Sequence, residues 1–433
     1  MTSILRTTLF AFFLLSFSAF AQVAQEEVFV PNYNRALMRK LVSYPQLTVD
    51  HASPKGFELY GPKGLKQWLQ ENNIAFIDMA QNRTEKSEYP SYEEVTARLK
   101  NLAASYPHIF KLFSIGQSHE GRELWVMKVS DNVHQDEIEP EVKYISSMHG
   151  DEITGRELML ILLQEIGQKY GVDRKISHLV NNTEMFIMPS MNPDGSTHQR
   201  RGNGAYVDLN RNFPDVFSNQ RYYQDRQPET LAVMNFQASR QFALSANFHG
   251  GAVVVNYPWD STYDRHPFDE LVQDVSLEYA KRNPEMKNST LFKDGITNGA
   301  DWYIVRGGMQ DWSYTFFNDL QVTVELSQQK WPDYSMIPGY YQRNRDSLFK
   351  YLSSVHQGAG FVLNRPNMNG IVEVFNRQGN SLGKYKFRNS EFYKVLDEGD
   401  YIFQISYGQV QKQIQMTVTR DYIRDGGNYV VVD

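Results

Sequence analysis

Apolar and polar positions recur along this chain with two different periods, and the places where the period changes divide it into four stretches. The first is short. Arg6 precedes the apolar run at residues 9–20, which ends on the small-x-small pattern Ala19-Phe20-Ala21. Residues 1–21 therefore predict a secretory signal peptide, too short for a comfortable membrane span. No later stretch reaches the ~18 unbroken apolar residues of a spanning helix, so no membrane span is expected in the processed chain. From 22 to 86, Leu65, Trp68 and Leu69 fall at helical spacing behind Gly61-Pro62, and residues 74–77 read as a strand. That pattern fits either a removable pro-segment or an integral N-terminal extension.

The third stretch, 87–357, is the longest. Ser91 and Glu94 form a capping box ahead of Val95, Leu99 and Leu102, which mark one face of a helix. Strands are then predicted at 110–115, 124–129, 143–148, 184–189, 244–248 and 320–326. Helices are predicted at 155–168, near 228–242 and at 340–356. Strands alternating with helices predict an α/β domain: a mixed, mostly parallel sheet with helices on both faces. Beyond Gly358-Ala359-Gly360 the period falls to two, with strands at 371–375, 384–387, 401–406 and 414–418. Turns at Gly379-Asn380 and Glu398-Gly399-Asp400 separate them. Residues 358–433 therefore predict a small antiparallel β-sandwich.

Composition narrows the function. The 433 residues are 41% apolar and 22% charged, which is ordinary for a globular protein with a sizeable core. The net charge of −6, with both signs interspersed, argues against nucleic acid as a partner, since phosphate binding needs a basic face. There is no cysteine. That excludes disulfides, a thiolate nucleophile and a Cys-held zinc, and leaves any metal to His, Asp and Glu.

His149-Gly150-Asp151-Glu152 falls where a predicted strand gives way to a helix, the end of an open α/β sheet at which ligands bind. Imidazole and carboxylate are good zinc ligands, and a glycine between them lets both aim at one ion. The spacing alone is weak. Ten histidines and 50 acidic residues among 433 positions give about one H-x-x-[DE] by chance, and the chain has three. His134/Glu137 and His266/Asp269 lie in polar loop-like runs and read as solvated surface. His249 supplies a third ligand, because it ends the predicted strand at 244–248 ahead of two glycines. Three protein ligands leave an open position, as a catalytic zinc requires. Arg201, Asn210 and Arg211 carry planar donors suited to a carboxylate or an oxyanion. Glu325 interrupts the apolar strand Val322-Thr323-Val324, where burial would suit a general base.

The segments HGDEITGREL, PSMNPDG, VDLNRNFPD, ANFHGGAVVVNYPWD, TNGADWY, GGMQDWSY and TVELSQQKWP together resemble the zinc metallocarboxypeptidases. The likeness is greatest to the regulatory branch that includes carboxypeptidases N, E, M and D. The resemblance runs from about residue 88 to 356, and the sandwich after it looks like the transthyretin-like domain of that branch. It implies one Zn2+ per chain held by His149, Glu152 and His249, with Glu325 as general base and acid. It implies Arg201 at the oxyanion, with Arg200 adjacent. Asn210 and Arg211 would hold the substrate's terminal carboxylate and Tyr303 would close over it. Asp208 would orient His149. Asp260 and Gln310 would line the pocket for a departing Lys or Arg side chain. The expected partners are peptide or protein C-termini, outside the cytoplasm. Two other readings stay open: a same-scaffold enzyme for cell-wall peptides, whose diamino acids also carry an amine, and a non-catalytic binding member.

Overall fold

The structure, a computed structural model, describes residues 25–44, 46–79, 88–215, 217, 226–419 and 428–433. The predicted signal peptide lies outside the described residues. The N-terminal unit is a four-stranded sheet of order β2-β3-β1-β4, built from β1 (Gln25–Pro31), β2 (Thr48–Ser53), β3 (Gly56–Pro62) and β4 (Ile77–Asp78). The helix expected behind Gly61-Pro62 runs Leu65–Glu71. The strand expected at 74–77 shrinks to β4, because β1 pairs antiparallel only with Ile77 and Asp78. The apolar face of this unit does not close on itself. Val28, Phe57 and Leu59 share one cluster with Tyr303 and Val305 of the central unit.

Eight strands form the central sheet: β5 (Phe110–Gln117), β6 (Glu123–Val129), β7 (Glu141–Ser146), β8 (Glu184–Met188), β9 (Phe242–His249), β10 (Val253–Tyr257), β11 (Ile296–Asn298) and β12 (Leu320–Leu326). Their order is β11-β10-β12-β9-β7-β8-β6-β5. The pairs β10/β11, β12/β9, β9/β7 and β7/β8 are parallel, and the other three are antiparallel. The sheet is therefore mixed and mostly parallel. Strands β7, β9 and β12 are buried at every residue, as strands covered on both faces are. Alternate residues feed two separate cores. Val142, Tyr144, Met185 and Ile187 pack with the helices Thr154–Lys169 and Ile337–Ser353. Ile145, Phe186 and Met188 pack on the other face with Pro228–Ser239 and Met309–Phe317. The capping box forms at Ser91 as expected, with both reciprocal hydrogen bonds.

The C-terminal strands make two sheets: β16-β13-β19 and β15-β14-β17-β18. They are β13 (Gly358–Leu363), β14 (Gly370–Asn376), β15 (Ser381–Phe387), β16 (Glu391–Val395), β17 (Gly399–Tyr407), β18 (Val410–Val418) and β19 (Tyr429–Val432). The four strands expected from sequence all belong to the second sheet. The first sheet departs from a wholly antiparallel arrangement, because β13 pairs parallel with β19. Its core is continuous with that of the central unit through Val355, Ala359 and Phe361. Lys394 of β16 reaches across to Tyr314 and Asn318.

Candidate active site

The ends of two adjacent parallel strands meet at the centre of the sheet. β7 stops at Ser146, the chain turns through Ser147 in a left-handed conformation (φ 51°), and His149 and Glu152 follow just before the helix at Thr154. β9 ends on His249 itself, and Glu325 of β12 is its register partner. His149 Nδ1 lies 3.0 Å from Glu152 Oε2 and 3.0 Å from His249 Nδ1. His249 Nδ1 is 2.7 Å from the same carboxylate oxygen. All three residues are buried. Burial would push the Glu152 carboxyl up, but the two imidazoles pull it well below the usual carboxylate range. Four groups of His, Asp and Glu side chains among the described residues come close enough to share a cation, and only this one has two imidazoles and complete burial.

The far ring nitrogens are also engaged. His149 Nε2 is 3.0 Å from Asp208 Oδ1, which fixes the tautomer that leaves Nδ1 free for a metal. His249 Nε2 lies 2.8 Å from Asn247 Nδ2, and Asn247 Oδ1 is buried without a partner; turning that amide over sets Oδ1 on Nε2–H and leaves Nδ1 free for a metal. Two Nδ1 lone pairs and a carboxylate, each oriented from behind, form a donor set that fits zinc with an open fourth position. Beside it Glu325 is 4% exposed, and its Oε2 has no hydrogen-bond partner.

Of the two adjacent arginines, Arg201 faces this centre. Its Nε donates to Asp208 Oδ2 at 3.0 Å and its Nη1 to Glu152 Oε1 at 3.3 Å, while Nη2 is buried without a partner. Arg200 turns away and stacks on Tyr206 at 3.9 Å. A single 3₁₀ turn, Leu209–Arg211, presents Asn210 and Arg211 beside Asp208.

The N-terminal unit occupies the space in front of these residues. Arg211 Nη2 donates to the Val49 carbonyl at 3.1 Å. Arg201 Nη1 also donates to Asp50, and Tyr303 Oη donates to the other oxygen of that carboxylate at 2.6 Å. Burial would raise the Asp50 carboxyl, but Arg201, His51 and Lys330 hold it well below its ordinary range. His51 Nε2 lies 3.8 Å from Glu325 Oε1. Tyr303 was expected over a substrate carboxylate; here it closes on Asp50.

The last group sits deeper. Asp260 is 2% exposed, and among the described residues its carboxylate accepts from two neutral amides, Asn256 Nδ2 at 3.1 Å and Gln310 Nε2 at 3.0 Å. Burial, reinforced by Asp311, raises its carboxyl well above the usual range. The Asn256 and Gln310 carbonyl oxygens are buried with no donor. Gly299 makes room for the Asp260 carboxylate, since a Cβ there would stand 1.8 Å from Asp260 Oδ1 and 2.9 Å from Asn256 Oδ1. Asp311 ties the loop from below by accepting from the Asp260 and Ser261 amides.

His266, expected at a solvated surface, is a correction. It is 3% exposed and packs on Trp259 and Tyr314 at ring distances of 4.7 and 4.1 Å. Burial, with Lys394 nearby, pushes its imidazole down to about 3, so it serves as a neutral wall behind the Asp260 loop. His134 is exposed as expected.

Sequence reasoning missed several residues of this region: Asp50, His51, Glu58, Asn247, Asn256, Gly299 and Lys330. Asn247 and Asn256 stand inside ANFHGGAVVVNYPWD, Gly299 inside TNGADWY and Lys330 inside TVELSQQKWP, next to residues that drew the attention. The N-terminal residues carried no local signal.

Residues 95–347 match the zinc carboxypeptidase family, Peptidase_M14. The chain is 44% identical over 303 residues to human carboxypeptidase D, covering 64% of this chain and 22% of that protein. It is 38% identical over 353 residues to carboxypeptidase M of Mus musculus, covering 73% and 78%. The human carboxypeptidase N catalytic chain is 34% identical over 359 residues, covering 72% and 78%. Among solved structures, carboxypeptidase A from Helicoverpa armigera shares the fold with a TM-score of 0.62 at 18% identity, covering 76% of this chain and 97% of that one. The chain belongs to the zinc carboxypeptidase family, and it spans a quarter or less of the length of the carboxypeptidase D relatives it matches.

Proposed function

We propose that this protein is a zinc-dependent metallocarboxypeptidase that releases single lysine or arginine residues from peptide C-termini. The observation that supports the basic preference is the desolvated group of acceptors around Asp260. A buried carboxylate and two amide oxygens without donors favour an entering ammonium or guanidinium, which would restore the charge of Asp260 and fill all three. An apolar side chain would leave them unpaired, a penalty that discriminates strongly.

His149, Glu152 and His249 would hold the metal, with Asp208 positioning His149. Zinc bound there supplies a Lewis acid that polarises a carbonyl and makes water acidic near neutral pH. Glu325, whose Oε2 is unengaged, takes the proton of the attacking water and returns it to the departing nitrogen. The free Nη2 of Arg201 donates to the developing oxyanion. Asn210 and Arg211 bind the terminal carboxylate, with Tyr303 closing over it, and so restrict cleavage to the last residue. Gln310 and Asp260 take the side chain.

The division of labour along the chain is part of the same reading: export signal at 1–21, N-terminal segment at 22–86, catalytic unit at 87–357 and transthyretin-like sandwich at 358–433. The export signal places the activity outside the cytoplasm, in the periplasm or beyond. No helix among the described residues is long and apolar enough to cross a membrane.

The test is release of the terminal residue from blocked peptides ending in Arg, Lys, Phe or Glu, by zinc-loaded chain before and after cutting between Asp78 and Tyr89. Chelator-sensitive release of Arg and Lys is expected. Preferential release of Phe would discard the Asp260 reading, and activity confined to muropeptides would move the substrate to cell-wall peptides.

A further inference from the structure

Where the β-sandwich packs on the central unit, a cavity of about 490 Å³ remains between them, the size of a small-molecule site. One wall is the end of the helix Met309–Phe317, with Asn318 and the start of β9; the other is β15 and β16. β15 runs Lys384-Tyr385-Lys386-Phe387 with Arg388 directly after it, and a period of two puts the three cations on one face. Arg388 turns back to the central unit. Its Nη1 donates to the Ala238 carbonyl at 3.0 Å, and its guanidinium lies 5.7 Å from the centre of the Phe317 ring.

The charges around this cavity do not cancel. Arg240, Lys384, Lys386 and Arg388 line it, and no Asp or Glu is among the described lining residues. Arg240 is answered from outside by Asp136 and Glu184, each at 2.6 Å, and Lys384 by Glu373 at 3.3 Å. Lys386 and Arg388 have no carboxylate partner among the described residues. Lys394 stands one layer behind and is 3% exposed. Its Nζ meets only neutral oxygens, Tyr314 Oη at 3.5 Å and Asn318 Oδ1, and both residues belong to the cavity wall. The rest of the wall is largely aromatic: Trp259, Tyr314, Phe316, Tyr385 and Phe392. Cations beside stacked rings suit an anion carried on a flat apolar body, which stacks while its charge is met. Lysines on a free sheet edge such as β15 also discourage pairing with other strands, but that role does not call for an arginine held against Phe317.

We propose that this cavity is an effector site for a small aromatic carboxylate, held by Lys386 and Arg388 between the sandwich and the central unit, and that its occupant braces the wall of the Asp260 pocket. Trp259 and Tyr314 carry the coupling. Both line the cavity, both pack on His266 behind the Asp260 loop, and Trp259 adjoins Asp260 in sequence. A ligand against these rings restricts the loop, so an entering guanidinium has less order left to impose. Binding in the cavity is independent of the carboxypeptidase reading, whereas the effect on arginine release rests on it.

The test is isothermal titration calorimetry of the zinc-loaded full chain with 2-naphthoate and with its neutral counterpart, 2-naphthamide. The acid should bind, and the amide at least about tenfold more weakly. Lys386→Gln combined with Arg388→Gln should weaken the acid about tenfold or more. Thr315→Trp, which fills space in the cavity without touching a charge, should also weaken it. Arg211→Met should leave binding as it is, since Arg211 lies in the catalytic cleft. Melting temperature identifies any variant that has unfolded, and the comparison of acid with amide needs no variant. Absence of binding, equal binding of acid and amide, or a loss confined to Arg211→Met would overturn the site, the last by placing the acid in the cleft. In turnover of a peptide ending in arginine, 2-naphthoate should lower KM about fivefold at constant kcat in the parent, and not in the Lys386→Gln, Arg388→Gln protein. Binding without that difference keeps the site and rejects its coupling to the pocket. Binding by a protein that releases no arginine keeps the site and rejects the peptidase.

Discussion

The two ends of the cleft are in opposite conditions. At Arg211 Nη2, Arg201 Nη1 and Tyr303 the donors have been met by a carbonyl and a carboxylate from β2, and Arg201 Nη2 alone stays free. Around Asp260, a few residues deeper, three acceptors are desolvated and two of the three residues involved retain an oxygen with no donor at all. Buried polar groups are ordinarily paired, and those left over mark places where a ligand completes the structure. In the proposed reading, β2 stands where a substrate's terminal carboxylate would bind. The same reading builds specificity and catalysis on different supports. The residues proposed for catalysis lie on or just beyond strand ends, whereas Asp260 sits on a loop braced by Asp311 and backed by Trp259, His266 and Tyr314.

The largest expected effect lies at the reacting centre. Glu325→Gln should lower kcat by about 10³-fold while zinc, measured by elemental analysis, stays bound. Near-normal turnover would remove Glu325 from the chemistry. Next is the pocket. Asp260→Asn should cost about 10²-fold in kcat/KM for peptides ending in arginine and much less for those ending in phenylalanine. Equal losses on both would mean that Asp260 supports the loop and does not read the side chain. A smaller effect is expected for Gly299→Ala, whose methyl would crowd Asp260 and Asn256. KM for arginine peptides should rise about tenfold while kcat holds nearly steady.

The smallest concerns the wall behind the pocket. Lys394 is buried among Phe268, Tyr314 and Tyr385, and burial pushes its amine down to about 7. Its folded pKa lies below the unfolded value near 10.4, so between these limits the unfolded chain binds more protons and stability rises with pH. Lys394→Met should therefore raise the melting temperature by roughly 2–4 °C at pH 7. The gain should shrink as pH approaches 10, and arginine release should change little. A gain independent of pH would mean that Lys394 is charged in the folded protein.

The candidate site was legible because each member stands on a regular element or inside a short motif. His249 and Glu325 end or interrupt apolar strands, His149 follows one by a short turn, and the register of β9 with β12 brings His249 and Glu325 side by side. The alternation of strands and helices likewise announced the central sheet, save for β10 and β11, which are short and follow no predicted helix. What stayed hidden depended on distance along the chain. Asp50 meets Arg201 across 151 positions and Lys330 meets Glu58 across 272, and nothing local to either marks the pairing. His266 was misread because Asp264, Arg265 and Pro267 around it are polar or loop-forming, while its burial comes from Trp259 and Tyr314. β13, β16 and β19 escaped notice for a related reason: β13 sits at the junction of two units, β16 is buried at four of its five residues and β19 is only four residues long, so none shows a clear alternating run.

The most direct measurement is the crystal structure of zinc-loaded Glu325→Gln protein, cut between Asp78 and Tyr89, with a peptide ending in arginine. The guanidinium should lie within hydrogen-bond distance of Asp260 and of the Asn256 and Gln310 oxygens, with the terminal carboxylate on Arg211 where the Val49 carbonyl now sits. A peptide bound elsewhere, or an arginine side chain directed to solvent while Asp260 keeps only its two amide donors, would contradict the account.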